Sequence, residues 1–236
     1  MLIIHDKRLP EEAIKKLNEY GECLPFYSEN ITYQEIAGHP DIFFFPAEES
    51  IIVAPNTPQH FINYLKKKEI TTRIGNTPVG NQKKNSTCYN VVMTKNYIIH
   101  NEKYTDSSIL ENFTNKIFIH VNQAYTRCSL FALKNESFIT SDRGIEKELS
   151  KRGLACLYIS PKEIKLPGYP HGCIGGCLGI YENNVFLIGN PKHHPEGSKL
   201  EAFIRRNDYN LICLCDDQLF DGGGVFFVKD LQNIEI

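Results

Sequence analysis

The sequence predicts an α/β fold: five β-β-α-β units set as the blades of a propeller around a central channel, closed by both chain termini. Three observations predict it. Similar apolar runs recur at a spacing within the roughly 20–50 residues of propeller-like arrays. Each recurrence holds two β-rich runs joined by a turn of two to four residues, too short for a parallel crossover, then a helical stretch and a third apolar run. The first and last segments are each incomplete and complement one another. A doubly wound α/β domain also alternates strands and helices, but hairpins at regular intervals favour the ring.

The first full unit, residues 42–75, lies within "DIFFFPAEESIIVAPNTPQHFINYLKKKEITTRIGN" and has a proline at the start of its helix. The second, residues 90–122, turns at Lys95 and Asn96 between its β-rich runs and offers Thr105 or Asp106 as the helix N-cap. The third, residues 129–160, is "SLFALKNESFITSDRGIEKELSKRGLACLYIS", with Gly153 placed to end its helix. The fourth, residues 177–216, turns at Asn183 and Asn184. The fifth is divided: residues 222–236 supply a strand and turn, and residues 1–27 supply a strand, a helix and another strand. A last blade clasped by both termini leaves no open sheet edge. All five units together make a single domain, residues 1–236.

Composition narrows the function classes. With 236 residues, 42% of them hydrophobic, the chain can bury a large core. A net charge of −2 argues against a protein that chiefly neutralises nucleic-acid phosphates. The basic pieces "LKKKE" and "NQKKN" read as solvated faces. No apolar run reaches the roughly 18 residues of a membrane span, and "MLIIHDKRLPEE" turns charged too early for a signal peptide. A cytoplasmic protein is expected, with neither membrane nor nucleic acid as partner. Its eight cysteines are then expected to be free thiols.

If the ring is right, the five segments that enter the blades converge: "GHPD", "STCYN", "YTRCS", "HGCIGGC" and "CDDQLFDGGG". They bring together His39, Asp41, Cys88, Asn90, Arg127, Cys128, His171, Cys173, Cys177, Asp217 and Asp221. "CIGGCLG" is no dinucleotide fingerprint, because it lacks G-x-G-x-x-G and leads into a strand. The glycines of "GGGVFF" are read as allowing close backbone approach or positive φ.

Five β-β-α-β blades closed by the termini resemble the pentein fold of guanidino-group-modifying enzymes. That family includes arginine deiminases, amidinotransferases and dimethylarginine dimethylaminohydrolases, together with a non-enzymatic ribosome-associated factor. More closely, "HPDIFFF", "VNQAYTRCSLF", "ITSDRGI" and "HGCIGGCLG" resemble segments of an uncharacterised bacterial family assigned to that fold. The resemblance implies a channel site in which a cysteine entering the last blade attacks the guanidinium carbon, a histidine moves protons and carboxylates grip the cation. The chain departs from that pattern. The nucleophile position falls near Phe226, the histidine near Gln123 and one acid near Asn90, while Asp41 matches an acidic substrate contact.

The expected function is therefore binding of a small polar, guanidinium- or amino-acid-like ligand without the family's Cys-His-acid triad. His39, Asp41, Asn90, Arg127, Asp217 and Asp221 are the expected ligand contacts, with Arg127 suited to a carboxylate. In an enzymatic form, a hydrolase or transferase acting on a guanidine or amidine C–N bond, a thiolate from Cys128 or Cys173 activated by His171 or His39 would replace the lost nucleophile. A scaffold that binds a protein or ribosomal surface is the alternative. A zinc site drawn from Cys88, Cys128, Cys173, His39 and His171 is a lesser one, because Cys173 and Cys177 lack the tight two-residue spacing of a knuckle. No metal and no cofactor are assigned.

Overall fold

A computed structural model of the protein describes residues 1–47 and 50–228. The end of the expected fifth unit, residues 229–236, lies outside the described residues. The chain opens with β1 (Leu2–Asp6), α1 (Glu11–Leu17) and β2 (Glu22–Phe26), and β2 runs parallel to β1. Glu11 and Glu12 in the first turn of α1, and Lys15 and Lys16 in its last, complement the helix dipole.

A single turn, α2 (Pro40–Phe43), carries proline at its first position, where a fixed φ suits helix entry. It leads into β3 (Phe44–Pro46), antiparallel to β4 (Ile51–Val53); α3 (Gln59–Lys67) then crosses to β5 (Thr72–Ile74), parallel to β4. The pattern repeats. After α4 (Lys83–Ser86) come β6 (Val92–Met93), β7 (Tyr97–His100), α5 (Ser107–Asn112) and β8 (Ile117–His120). After α6 (Thr126–Ser129) come β9 (Leu130–Ala132), β10 (Phe138–Thr140), α7 (Arg143–Ser150) and β11 (Cys156–Tyr158).

Next, β12 (Ile164–Lys165) precedes a 3-10 turn at Gly175–Cys177, which enters β13 (Leu178–Tyr181), β14 (Asn184–Leu187), α8 (Gly197–Arg206) and β15 (Asn210–Cys213). The chain then forms β16 (Leu219–Phe220), parallel to β12, and β17 (Phe226–Val228), antiparallel to β1. Five three-stranded sheets result, each with a middle strand that is antiparallel to one neighbour and parallel to the other.

Buried aromatics tie the first two of these segments together. Phe26 packs against Phe43, Phe44 and Phe61 with ring centroids 5.1, 4.8 and 4.8 Å apart. Burying one such side chain stabilises the fold by roughly 1.5–3 kcal/mol.

Three local readings are refined by the structure. Asp106, not Thr105, caps α5, because its carboxylate accepts from Ser108 N at 3.0 Å while the Thr105 hydroxyl bonds His100. The fourth hairpin turns at Glu182 and Asn183, one residue earlier than expected. Tyr181 pairs with Asn184, and Glu182 takes the left-handed φ of 54° that the tight turn demands. The helical turns before β3, β9 and β13 had no periodic signal in a stretch of four residues or fewer. As expected, Gly153 ends α7 with a φ of +72°, and all eight cysteines are free. Among the described residues, no helix is long and apolar enough to cross a membrane.

Candidate functional site

The helical turns that lead into the sheets carry the chemistry. His39 sits at the N-cap of α2 and Asp41 within it, and Cys128 lies in α6. The Cys128 thiol donates to Asp41 Oδ2 at 2.9 Å. Asn90 holds this pair from two directions: its Nδ2 donates to Cys128 Sγ at 3.2 Å and to Asp41 O at 3.3 Å, and its Oδ1 accepts from Cys128 N at 3.1 Å. One donor atom from each of His39, Asp41 and Cys128 lies within 4.8 Å of the others.

Burial governs the electrostatics here. Asp41 is 0% exposed and its carboxyl is pushed up to about 6, with the Arg127 charge and the Cys128 hydrogen bond pulling the other way. The Cys128 thiol is driven well above its ordinary value by burial and by the Asp41 charge. His39, 1% exposed, has its pKa lowered by burial, only partly offset by Asp221. Neither ring nitrogen of His39 has a hydrogen-bond partner, nor does Asp41 Oδ1. Asp221 Oδ1 stands 3.9 Å from His39 Nδ1, beyond hydrogen-bond reach.

Asp221 is occupied in a different way. Its Oδ2 accepts from Cys173 N at 2.8 Å and its Oδ1 from Gly223 N at 3.1 Å. The glycines of "GYPHGCIGG" explain themselves against it. A side chain at Gly176 would collide with the Asp221 carboxylate, one at Gly172 would come within 2.5 Å of Asp221 Cβ, and one at Gly175 would strike the Arg127 carbonyl. Asp221 is thus the staple that holds the glycine-rich segment, rather than a group offered to a ligand.

Several expected site residues do not join this cluster. His171 is exposed and its Nδ1 faces its neighbour's carbonyl, Gly172 O, at 3.0 Å, so it activates no thiol. Asp217 is exposed, and its Oδ1 accepts from Gln218 N at 2.7 Å. Cys88 donates to Lys84 O at 3.0 Å within its own turn. Cys173 receives the Ser129 hydroxyl at 3.6 Å, and burial followed by the Asp221 charge pushes its thiol up to about 12. A nucleophilic cysteine needs a thiolate, and neither Cys128 nor Cys173 is held as one at neutral pH. Gln123, where the resemblance places a histidine, bridges Asp142 Oδ2 and Tyr125 N at 3.1 Å each.

Arg127 connects this cluster to a cavity that the sequence did not reveal. Its Nη1 donates to Gly175 O at 2.6 Å and its Nη2 to Leu178 O at 3.1 Å, and its guanidinium carbon lies 5.5 and 5.4 Å from the ring centroids of Phe131 and Phe226. It lines a cavity of about 190 Å³ with Val92, Phe131, Ile180 and Phe226 among the walls. Those wall residues lie on β6, β9, β13 and β17, and Pro46 adds the end of β3. Consecutive residues of several first strands, such as Val92 and Met93 or Phe226 and Phe227, line the cavity together, so the two-residue alternation of a strand did not mark these positions.

The sequence matches a family of unknown function, DUF6873, over residues 4–226. The chain belongs to this family. No curated protein matches it. Among solved structures it is similar to SxtG, an amidinotransferase from Microseira wollei, at a TM-score of 0.56 and 9% identity, covering 100% of this chain and 96% of the other. It is similar to an agmatine deiminase of C. jejuni at 0.55 and 9%, covering 90% and 86%. A mutant DDAH from Pseudomonas aeruginosa complexed with citrulline matches at 0.53 and 10%, covering 90% and 91%. This DUF6873 member therefore has a mixed α/β fold of the pentein kind. At such identities the likeness speaks for the fold, and activity has to be argued from the site.

Proposed function

We propose that this DUF6873 protein is a single-domain, five-bladed α/β propeller, with blades near residues 42–75, 90–122, 129–160, 177–216 and 222–236 completed by 1–27. In this reading it binds a small amino-acid-like carboxylate in its central channel. One observation carries the reading: residues from all five first strands line one cavity, with the Arg127 guanidinium in its wall. A guanidinium has five N–H donors, and the bonds to Gly175 and Leu178 use two of them. The remainder suit a carboxylate, while Met93, Phe131, Ile180 and Phe226 suit an apolar or aliphatic body.

Binding, not covalent guanidine hydrolysis, is the proposed activity. Phe226 stands where the resemblance places the nucleophile, Gln123 where it places the histidine, and the nearby thiols of Cys128 and Cys173 are kept protonated by burial. Of the expected acidic grips, Asp217 faces outward, Asp221 is spent on backbone N–H groups, and Asp41 is wholly buried with its Oδ2 taken by Cys128. The carboxylate end of an amino-acid-like ligand is thus better provided for than a cationic end. Eight free cysteines suit a reducing compartment.

Thermal denaturation with arginine, citrulline and agmatine tests this. Arginine and citrulline carry a carboxylate that agmatine lacks. A ligand at about 100 times its Kd adds roughly 2.7 kcal/mol, a melting shift of several degrees for a chain of this size. Stabilisation by citrulline or arginine but not agmatine, lost in Phe131→Ala, is expected. Stabilisation by agmatine alone, or by none of the three, would overturn the carboxylate reading.

A further inference from the structure

The cavity beside Arg127 leaves His39, Asp41 and Cys128 unexplained. We propose that these three side chains form a site for a borderline divalent metal ion, zinc in kind, at the buried end of the channel. An imidazole, a carboxylate and a thiol are ligand types zinc selects, and a donor atom of each lies within 4.8 Å of the other two. Around tetrahedral zinc, with bonds of roughly 2.0–2.3 Å, donors stand about 3.3–3.8 Å apart. A contraction of these separations by at most about 1.0–1.5 Å thus completes the set.

The independent observation is what burial leaves unmet. Both His39 nitrogens and Asp41 Oδ1 are shut away from solvent without hydrogen-bond partners. Orphaned buried polar atoms are rare in native proteins and call for an explanation. A single cation answers for the imidazole lone pair and the carboxylate oxygen together. As it binds, the Cys128 S–H bond breaks, its proton passes to solvent, and the sulfur electron pair forms the S–metal bond.

Charge and support agree with this assignment. Without metal, the group holds the carboxylates of Asp41 and Asp221 against the guanidinium of Arg127. A divalent cation with one thiolate brings these charges to balance. Asn90 Nδ2, 3.2 Å from Cys128 Sγ, is placed to stabilise the thiolate, and Asn90 Oδ1 fixes the Cys128 backbone. Gly223, at a φ of +69°, lets the chain press on His39: a side chain there would come within 2.5 Å of His39 Cβ. This set corrects the earlier zinc expectation: Cys88, Cys173 and His171 lie outside the cluster, and Asp41 joins His39 and Cys128 in it.

The test uses the full-length protein, purified reduced and with any affinity tag removed. After incubation with zinc and desalting, elemental analysis should find roughly one zinc per chain. Cobalt(II) in its place should give visible bands of a tetrahedral centre and a near-ultraviolet thiolate-to-cobalt band. Cys128→Ser should lose the thiolate band, and His39→Gln should weaken binding by about tenfold or more. Cys88→Ser should change neither. Zinc below about a tenth of an equivalent in the wild-type protein, which requires no variant to fold, would overturn the site. So would a thiolate band that survives in folded Cys128→Ser. Neither result touches the carboxylate pocket, whose test is made with chelator present.

Discussion

His39 and His100 are both buried imidazoles whose pKa burial lowers, yet their surroundings differ in kind. His100, in β7, has Nδ1 2.8 Å from Thr105 Oγ1 and Nε2 2.8 Å from Ala124 O. His39 has neither nitrogen engaged. The same contrast divides the two buried acids: Asp221 fills both oxygens with backbone N–H groups, whereas Asp41 leaves Oδ1 empty. A group with every bond made holds the fold together. A buried group left short is costly to the fold unless something else binds it, and that difference separates staple from site in this molecule.

Asp221→Ala should break the staple side most severely. It leaves the N–H groups of Cys173 and Gly223 buried without acceptors, at about 1–3 kcal/mol each, for a loss of roughly 4 kcal/mol. The midpoint of urea denaturation reads it, provided the slope is unchanged. A loss under about 1 kcal/mol would mean that water replaces the carboxylate, and that Asp221 belongs with Asp41.

His100 sharpens the comparison through pH. Its folded pKa is lowered to about 4 from 6.5, by burial first, against the hydrogen bond to Ala124. The unfolded chain therefore takes up the proton first as pH falls. The His100 contribution is complete above pH 6.5 and is lost progressively between 6.5 and 4. Between pH 7 and 5, wild-type protein should lose about 2 kcal/mol more stability than His100→Gln. Equal losses in the two proteins would show that His100 is not held neutral by the fold.

The sequence made much of the architecture legible because four of the five three-stranded sheets are local events, in which a short turn, a helix and a return strand lie within about 40 residues, while the fifth joins β17 to β1 and β2 across the length of the chain. The site was legible only as a list. The residues of "GHPD" and "YTRCS" lie close together, with His39 and Asp41 beside Cys128, whereas "HGCIGGC" and "CDDQLFDGGG" mix buried and exposed residues. His171 and Asp217 lie exposed in irregular segments, where side-chain direction has no periodicity to read. Asp221 looked like a ligand acid because a carboxylate bonded to backbone N–H groups is indistinguishable in sequence from a free one. The wall of the cavity was missed for the opposite reason, since Phe131, Ile180 and Phe226 look like ordinary strand residues.

The smallest expected effect bears most directly on the contrast. In metal-free protein, with chelator present, His39→Leu removes no hydrogen bond and fills a similar volume, so stability should stay within about 1 kcal/mol of wild type. His100→Leu, by comparison, leaves Ala124 O without the imidazole and Thr105 Oγ1 with only its bond to Asn101 O, and should cost roughly 2–3 kcal/mol. Paired urea titrations of the two variants measure the difference. If His39→Leu proves as damaging as His100→Leu, ordered water already meets the His39 nitrogens and the ring is a structural group. If it is neutral in chelator, the imidazole contributes nothing to the folded chain by itself, and its burial beside Asp41 and Cys128 is explained by what the three hold between them.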